Sequence, residues 1–217
     1  MCNAKALFAS SAILSLISAV FFLIGAASHG DDRSTVENIP FGVGDFESSG
    51  GITFGISGDV FLGLQGFVTE FDNGDDTEYD TYADCDFDFC DTCEDVGATV
   101  DALCVISLVL AIVVVVFGAM GAMSDGSMIA KIGCTVGSVV SAILSIVAFV
   151  TFRPCFADYV DDAAEVFGSS SATYGIAGWL TLIGFALMAL AALLSTITFC
   201  ISGGDVNYDK ATTGVGM

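Results

Sequence analysis

The stretch Val105-Ile-Ser-Leu-Val-Leu-Ala-Ile-Val-Val-Val-Val-Phe117 carries no charge and a single hydroxyl, inside a longer uncharged run from Ala102 to Met123. About 20 predominantly apolar residues, wound as a helix, cross the hydrocarbon of a bilayer. This run therefore predicts a membrane span. Three others qualify: Ala6 to Ser28, Ile132 to Phe152 and Ala172 to Ile201. The last is longer than a span requires, and its first residues are expected to form an exposed helical turn. Ala26-Ala27-Ser28 resembles a signal-peptide cleavage site. However, 20 uncharged residues separate it from Lys5, more than the 7–15 of a signal h-region, so the first run is expected to remain as a helix.

Composition agrees. Hydrophobic residues make up 54% of the 217 and charged residues 14%, with a mean hydropathy of +0.80. A soluble domain carries roughly a quarter charged residues; this chain has too few to cover its surface with them. The fold class expected is a membrane all-α four-helix transmembrane bundle with a small extracellular antiparallel β-sheet. The segments are 1–28 (N-terminus and first span), 29–101 (first external loop), 102–152 (two spans and a short loop), 153–173 (second external loop) and 174–217 (last span and tail).

Acids outnumber bases 26 to 5, and they are concentrated. The segment His29 to Gly97 holds eighteen acids against Arg33, and Arg153 to Thr173 holds four against Arg153. An even number of spans puts both segments on one side. Lysine placement weakly favours internal termini. The four cysteines Cys85, Cys90, Cys93 and Cys155 all lie in the two acidic segments, which suits an oxidising compartment. The expected location is the plasma membrane, with the acidic loops extracellular or lumenal. No basic cluster exists to engage phosphates, which argues against nucleic acid as a partner.

Within the first loop, Phe41-Gly-Val-Gly-Asp-Phe46, Ile52 to Ser57 and Val60 to Gln65 alternate bulky with small or polar residues, a strand pattern. Gly58-Asp59 reads as a two-residue hairpin turn, with three or more strands expected. The aromatics Phe41, Phe46, Phe54, Phe61 and Phe67 are the candidate interface. Asp72, Asp75, Asp76, Glu78 and Asp80 form an oxygen-rich stretch and are the candidate cation-binding residues, for calcium if any. The EF-hand pattern fails there, since Thr81 stands where the loop needs Gly and Phe87 where it needs Glu. No other cofactor is expected. Two disulfides are expected, with Cys155 joined to one of the three first-loop cysteines and the remaining two joined to each other. Cys90–Cys93 is the geometrically poor local choice.

Small residues at four-residue spacing let helices approach closely in lipid. Ser11, Ser15 and Ala19, then Gly118 and Ala122, Gly133 and Gly137, and Gly184 are the candidate packing positions. No span contains Asp, Glu, Lys or Arg, which argues against a carrier or pump. One His and no nucleophile–base motif argue against an enzyme.

Tyr174-Gly-Ile-Ala-Gly-Trp-Leu180 leads into Ala189-Leu-Ala-Ala-Leu-Leu194, and Cys93 to Leu103 steps from the last first-loop cysteine into the second helix. With four spans, internal termini, a long first loop holding strands and cysteines, and a shorter second loop, the chain resembles the claudin-like tetraspan superfamily as a divergent member. That group comprises claudins, the peripheral myelin protein group and calcium-channel gamma-like subunits. The expected role is non-enzymatic, in structure, adhesion or membrane assembly through the ectodomain. The alternatives are an auxiliary subunit of a channel, receptor or larger complex, and an oligomeric large-pore cation-preferring channel. The expected partners are the lipid bilayer and either further copies of the chain or a larger membrane complex.

Overall fold

The computed structural model describes residues 4–29, 33–48, 57–72, 77–123 and 127–212, with side chains as far as 200. In order the elements are α1 (Ala4–Ala27), α2 (Arg33–Asn38), β1 (Gly42–Ser48), β2 (Ser57–Leu62), β3 (Gly66–Phe71), β4 (Glu78–Thr81), a 3-10 turn (Tyr82–Asp84), α3 (Asp88–Met123), α4 (Met128–Thr151), α5 (Arg153–Phe167), β5 (Gly168–Tyr174) and α6 (Ile176–Thr212). The protein is mostly helical, with one antiparallel sheet. Among the described residues, four helical stretches, beginning at Ala4, Asp88, Met128 and Ile176, are long and apolar enough to cross a membrane.

Helix length exceeds what a bilayer needs. The 36 residues of α3 extend about 54 Å at 1.5 Å per residue, against a hydrocarbon core of about 30 Å. Its first part, Asp88 to Asp101, is the acidic portion of the sequence and precedes the apolar run. Asp88 and Asp91 occupy its first turn, where carboxylates complement the positive end of the helix dipole.

The chain divides into two compact units. The first comprises Met1–Val20, Ile106–Ile143 and Gly184–Met217, and it is built on small residues. Ser11 is buried; its Oγ lies 3.1 Å from Ser195 Oγ and donates to Ala191 O at 3.4 Å. Ser18 Oγ donates to Gly184 O at 3.3 Å and to Leu14 O at 2.9 Å. A Cβ on Gly118 would come within 2.9 Å of the Ala12 Cβ, and one on Gly137 within 2.7 Å of Val114. The missing side chains set how closely α3 meets α1 and α4. Gly133 is covered by the Phe117 ring. Ser15 and Ala19, the next two positions of the Ser11 stripe, are buried, and Ala122 is half-buried. The large side chains face the other way: Leu16, Val116, Val136, Ile143 and Leu193 are each more than half exposed. Small polar residues inside and bulky apolar residues outside is the arrangement expected where the surrounding solvent is hydrocarbon.

The second unit comprises Phe21–Val105 and Leu144–Ile183. Its sheet has the order β4-β3-β2-β1-β5. Four strands come from the first loop, and the fifth comes from the second. The spacing Phe41-Gly-Val-Gly-Asp-Phe46 puts Gly42, Gly44 and Phe46 on the inner face of β1 and Asp45 on the outer. On that inner face Phe156 lies over Gly42 and Tyr159 over Gly44, in space that any Cβ would occupy. The two glycines thus allow α5 to lie against the sheet. Gly168, in the left-handed region at φ 95°, caps α5 through its N–H to Ala164 O and turns the chain into β5, a conformation glycine takes without Cβ strain.

Two sequence expectations are corrected. Gly58-Asp59 is not a turn: both residues lie in β2, paired with Phe46 and Asp45. The chain reverses instead at Gly63-Leu64-Gln65, closed by Gly63 N–H donating to Gly66 O at 2.8 Å. The reason is alternation, since Gly58, Val60 and Leu62 face in and Asp59 faces out along one continuous strand. Of the arm expected before that turn, residues 52–56 lie outside the described residues. Likewise, the stretch from Ala172 is not a helical turn. It ends β5, which pairs with β1 over seven residue pairs from Ser48↔Gly168 to Gly42↔Tyr174. Ser and Thr are mediocre helix formers, and the open edge of β1 supplies partners that a free helical turn lacks.

Candidate functional site

The distinctive surface belongs to the second unit, and it is assembled by cross-links. Cys93 is bonded to Cys155 and Cys85 to Cys90, one of the pairings left open by the sequence. The first bond joins α3 to α5 across 62 residues of sequence. Side chains reinforce it: Phe89 N–H donates to Asp162 Oδ2 at 2.8 Å, and Thr92 Oγ1 donates to Asp158 Oδ2 at 2.6 Å. Acids from the second loop thus receive donors from the first.

The candidate interface aromatics divide. Phe41, Phe46 and Phe67 are interior residues, 0%, 3% and 7% exposed, and they are not a docking surface. Phe41 packs on Phe152 at 4.7 Å and Phe46 on Phe167 at 4.4 Å between ring centroids. The strand alternation that identified them points them toward α5 and the helix ends, whose aromatics close over them. Phe61 faces the outer side and is half-buried. Phe54 lies outside the described residues.

The candidate cation residues are spread out. Asp72 accepts a hydrogen bond from Ser57 Oγ. Glu78 and Asp80 lie on β4, opposite Thr69 and Phe67. Asp75 and Asp76 lie outside the described residues. Among the described residues no three Asp, Glu, Cys or His side chains converge on a point where a metal could sit.

Three features were not anticipated from the sequence. The first is a row of carboxylates across the outer face, with Asp45 opposite Asp59 and Asp59 opposite Glu70. Ser171 Oγ, from β5, donates to Asp45 Oδ1 at one end of the row. Like charges directly opposite one another weaken a sheet. The second is the edge strand β5 itself. Gly168-Ser-Ser-Ser-Ala-Thr-Tyr174 contains no charge, and Ser169, Ser171 and Thr173 are exposed. Its uncharged run of small and hydroxyl residues, ending in Thr and Tyr, was the signal available. The third is a groove of about 530 Å³ beside that edge, walled by α5 and β5 and including Arg153, Phe156, Val160 and Tyr174.

Two tyrosines complete the interior. Burial pushes the Tyr82 hydroxyl well above the ordinary tyrosine range, with nearby Tyr79 adding to it; that hydroxyl donates to Gly63 O at 3.1 Å. Burial also raises Tyr159, and the carboxylates of Asp45 and Asp59 push it in the same direction.

No protein-family model matches the chain, and no curated protein matches it in sequence.

Proposed function

We propose that the chain is a non-enzymatic integral membrane protein of the plasma membrane, a divergent relative of the claudin-like tetraspans. Its acidic ectodomain, in which disulfides tie the helices beside the sheet, lies outside the cell, and the sheet joins copies of the protein side by side. One observation carries this reading: the sheet ends in a seven-residue edge strand, β5, with no charge on it, in a unit otherwise crowded with acids. An edge strand leaves a row of backbone donors and acceptors unpaired, and proteins that must stay apart blunt such edges with charge, especially Lys. The opposite edge, β4, is blunted in that way by Glu78 and Asp80; β5 is not. Arg153, in the groove beside β5, supplies a positive charge to meet the acids of a neighbouring copy.

The test is the mass of the detergent-solubilised protein, with chemical cross-linking in membranes. Wild type is expected to form ladders of increasing size. Ser169→Lys/Thr173→Lys, which alters only exposed positions on the edge, is expected to reduce them to monomer. A closed ring of fixed size would favour the channel reading, and stoichiometric capture of a different large membrane protein would favour the auxiliary-subunit reading. Ladders unaffected by the double lysine variant would refute the β5 interface.

A further inference from the structure

Within the second unit, the inner side of the sheet and α5 enclose a pocket of about 220 Å³. Its wall is aromatic: Phe46, Phe67 and Phe71 come from the strands, Phe89 from the start of α3, and Tyr159 and Phe167 from α5. Phe89 meets Phe67 at 5.5 Å and Tyr159 at 5.6 Å, both edge to face. Phe87 and Val166, each about half exposed, are the open members of the lining and mark the mouth. Two carboxylates, Asp80 and Asp162, join the wall, and no Lys, Arg or His does so among the described residues. Asp162 is fixed in place by the Phe89 N–H. The hydroxyl of Tyr159, on a side chain 3% exposed, has no hydrogen-bond partner among the described residues.

We propose that this pocket binds a small organic cation with an alkylated ammonium head, of the size and chemistry of choline. Ring faces are electron-rich and attract cations, and alkylated ammonium groups suit such walls because they ask for no hydrogen bonds. The two carboxylates supply the counter-charge. An inorganic ion would give up hydration to a wall offering few oxygens. A neutral apolar guest would strip water from Asp80 and Asp162 and return nothing, and an anion would be repelled by them. Size is suitable: an apolar cavity of about 150 Å³ takes up benzene, so this pocket has room for a slightly larger guest. The inference goes beyond the structural role proposed above and does not depend on it.

The experiment is calorimetric titration of choline chloride into the full-length protein in a maltoside detergent at constant ionic strength. Saturable binding at about millimolar Kd or tighter is expected. On the unaltered protein, 3,3-dimethyl-1-butanol, which has the same shape without the charge, is expected to bind at least about tenfold more weakly. Asp80→Asn is expected to weaken choline by about tenfold. Phosphocholine separates a free cation from a lipid headgroup: its phosphate would face the carboxylates, so weaker binding than choline is expected. The proposal is overturned by no choline binding at about 10 mM, by equal binding of the neutral analogue, by an unchanged affinity in folded Asp80→Asn, or by phosphocholine binding as tightly as choline.

Discussion

In the first unit, Ser11 meets Ser195 and Ser18 meets Gly184 inside, while Leu16, Val116 and Leu193 face out. In the second, Phe41, Phe46, Leu62 and Tyr82 are inside while Asp45, Asp59 and Glu47 face out. One chain therefore contains both packing rules. If lipid covers the first unit, as proposed, burying a leucine there gains little, and close backbone approach and hydrogen bonds hold the helices together. Where water surrounds the sheet, aromatic burial drives folding. A unit that relies on burial but carries this many acids needs additional restraint, and the disulfides supply it.

The comparison is broken most directly at Cys155. In the chain-entropy account, removing a cross-link across 62 residues costs about 4 kcal/mol, and removing the five-residue link Cys85–Cys90 about 2 kcal/mol. Cys155→Ser is expected to lower the unfolding temperature of the second unit strongly and to leave one loop thiol, Cys93, open to labelling after denaturation without reductant. An unchanged thiol count would show the pairing to be wrong.

Alkaline pH should separate the units next. A tyrosine whose folded pKa is raised adds stability that is intact below the ordinary value of about 10. That stability is lost as pH rises above it, because the unfolded chain ionises first. The second unit, with Tyr82 and Tyr159, is expected to unfold as pH climbs past that range, with Tyr82→Phe and Tyr159→Phe removing part of the dependence. A pH profile that is flat through pH 11 would contradict the buried positions of these hydroxyls.

Overpacking tests the close approach in the first unit. Gly118→Leu is expected to destabilise by about 2 kcal/mol, because Ala12 already stands where the new side chain must go; thermal unfolding in detergent reads it. A smaller effect sharpens the contrast from the other side. Asp59→Asn relieves two like-charge oppositions and is expected to stabilise the sheet by about 0.5 kcal/mol, less so in high salt. Ser11→Ala, which removes a hydrogen bond of the kind worth about 0.6 kcal/mol in membranes, is expected to be nearly silent. A large loss there would mean that polar contacts, rather than close packing, hold α1 to α6.

Much of this was legible in the sequence. The uncharged runs identified the four long apolar helices, and the four-residue stripes found positions that do pack internally, since an apolar run of about 20 residues is local and needs no partner to be read. Strand character at Phe41–Phe46 was equally plain. Its use was not: alternation says which residues share a face, but it does not say whether that face is covered. Phe41, Phe46 and Phe67 read as an interface because their cover, α5 and the helix ends, comes from distant parts of the chain. The Gly58-Asp59 turn failed for a related reason. A Gly-Asp pair fits a turn and a strand equally well, and the choice lay with Phe46 and Asp45 across the sheet.

By itself, then, the sequence determined which segments are apolar enough to cross a membrane and which are not, because transfer free energy is summed along the chain residue by residue. Only the tertiary structure decided partners. It joined Cys93 to Cys155, gave β1 a fifth strand from the second loop, lined three carboxylates across one face and closed an aromatic pocket around Asp80 and Asp162. Each of these depends on register and on contacts between residues far apart in sequence, which a local pattern does not contain.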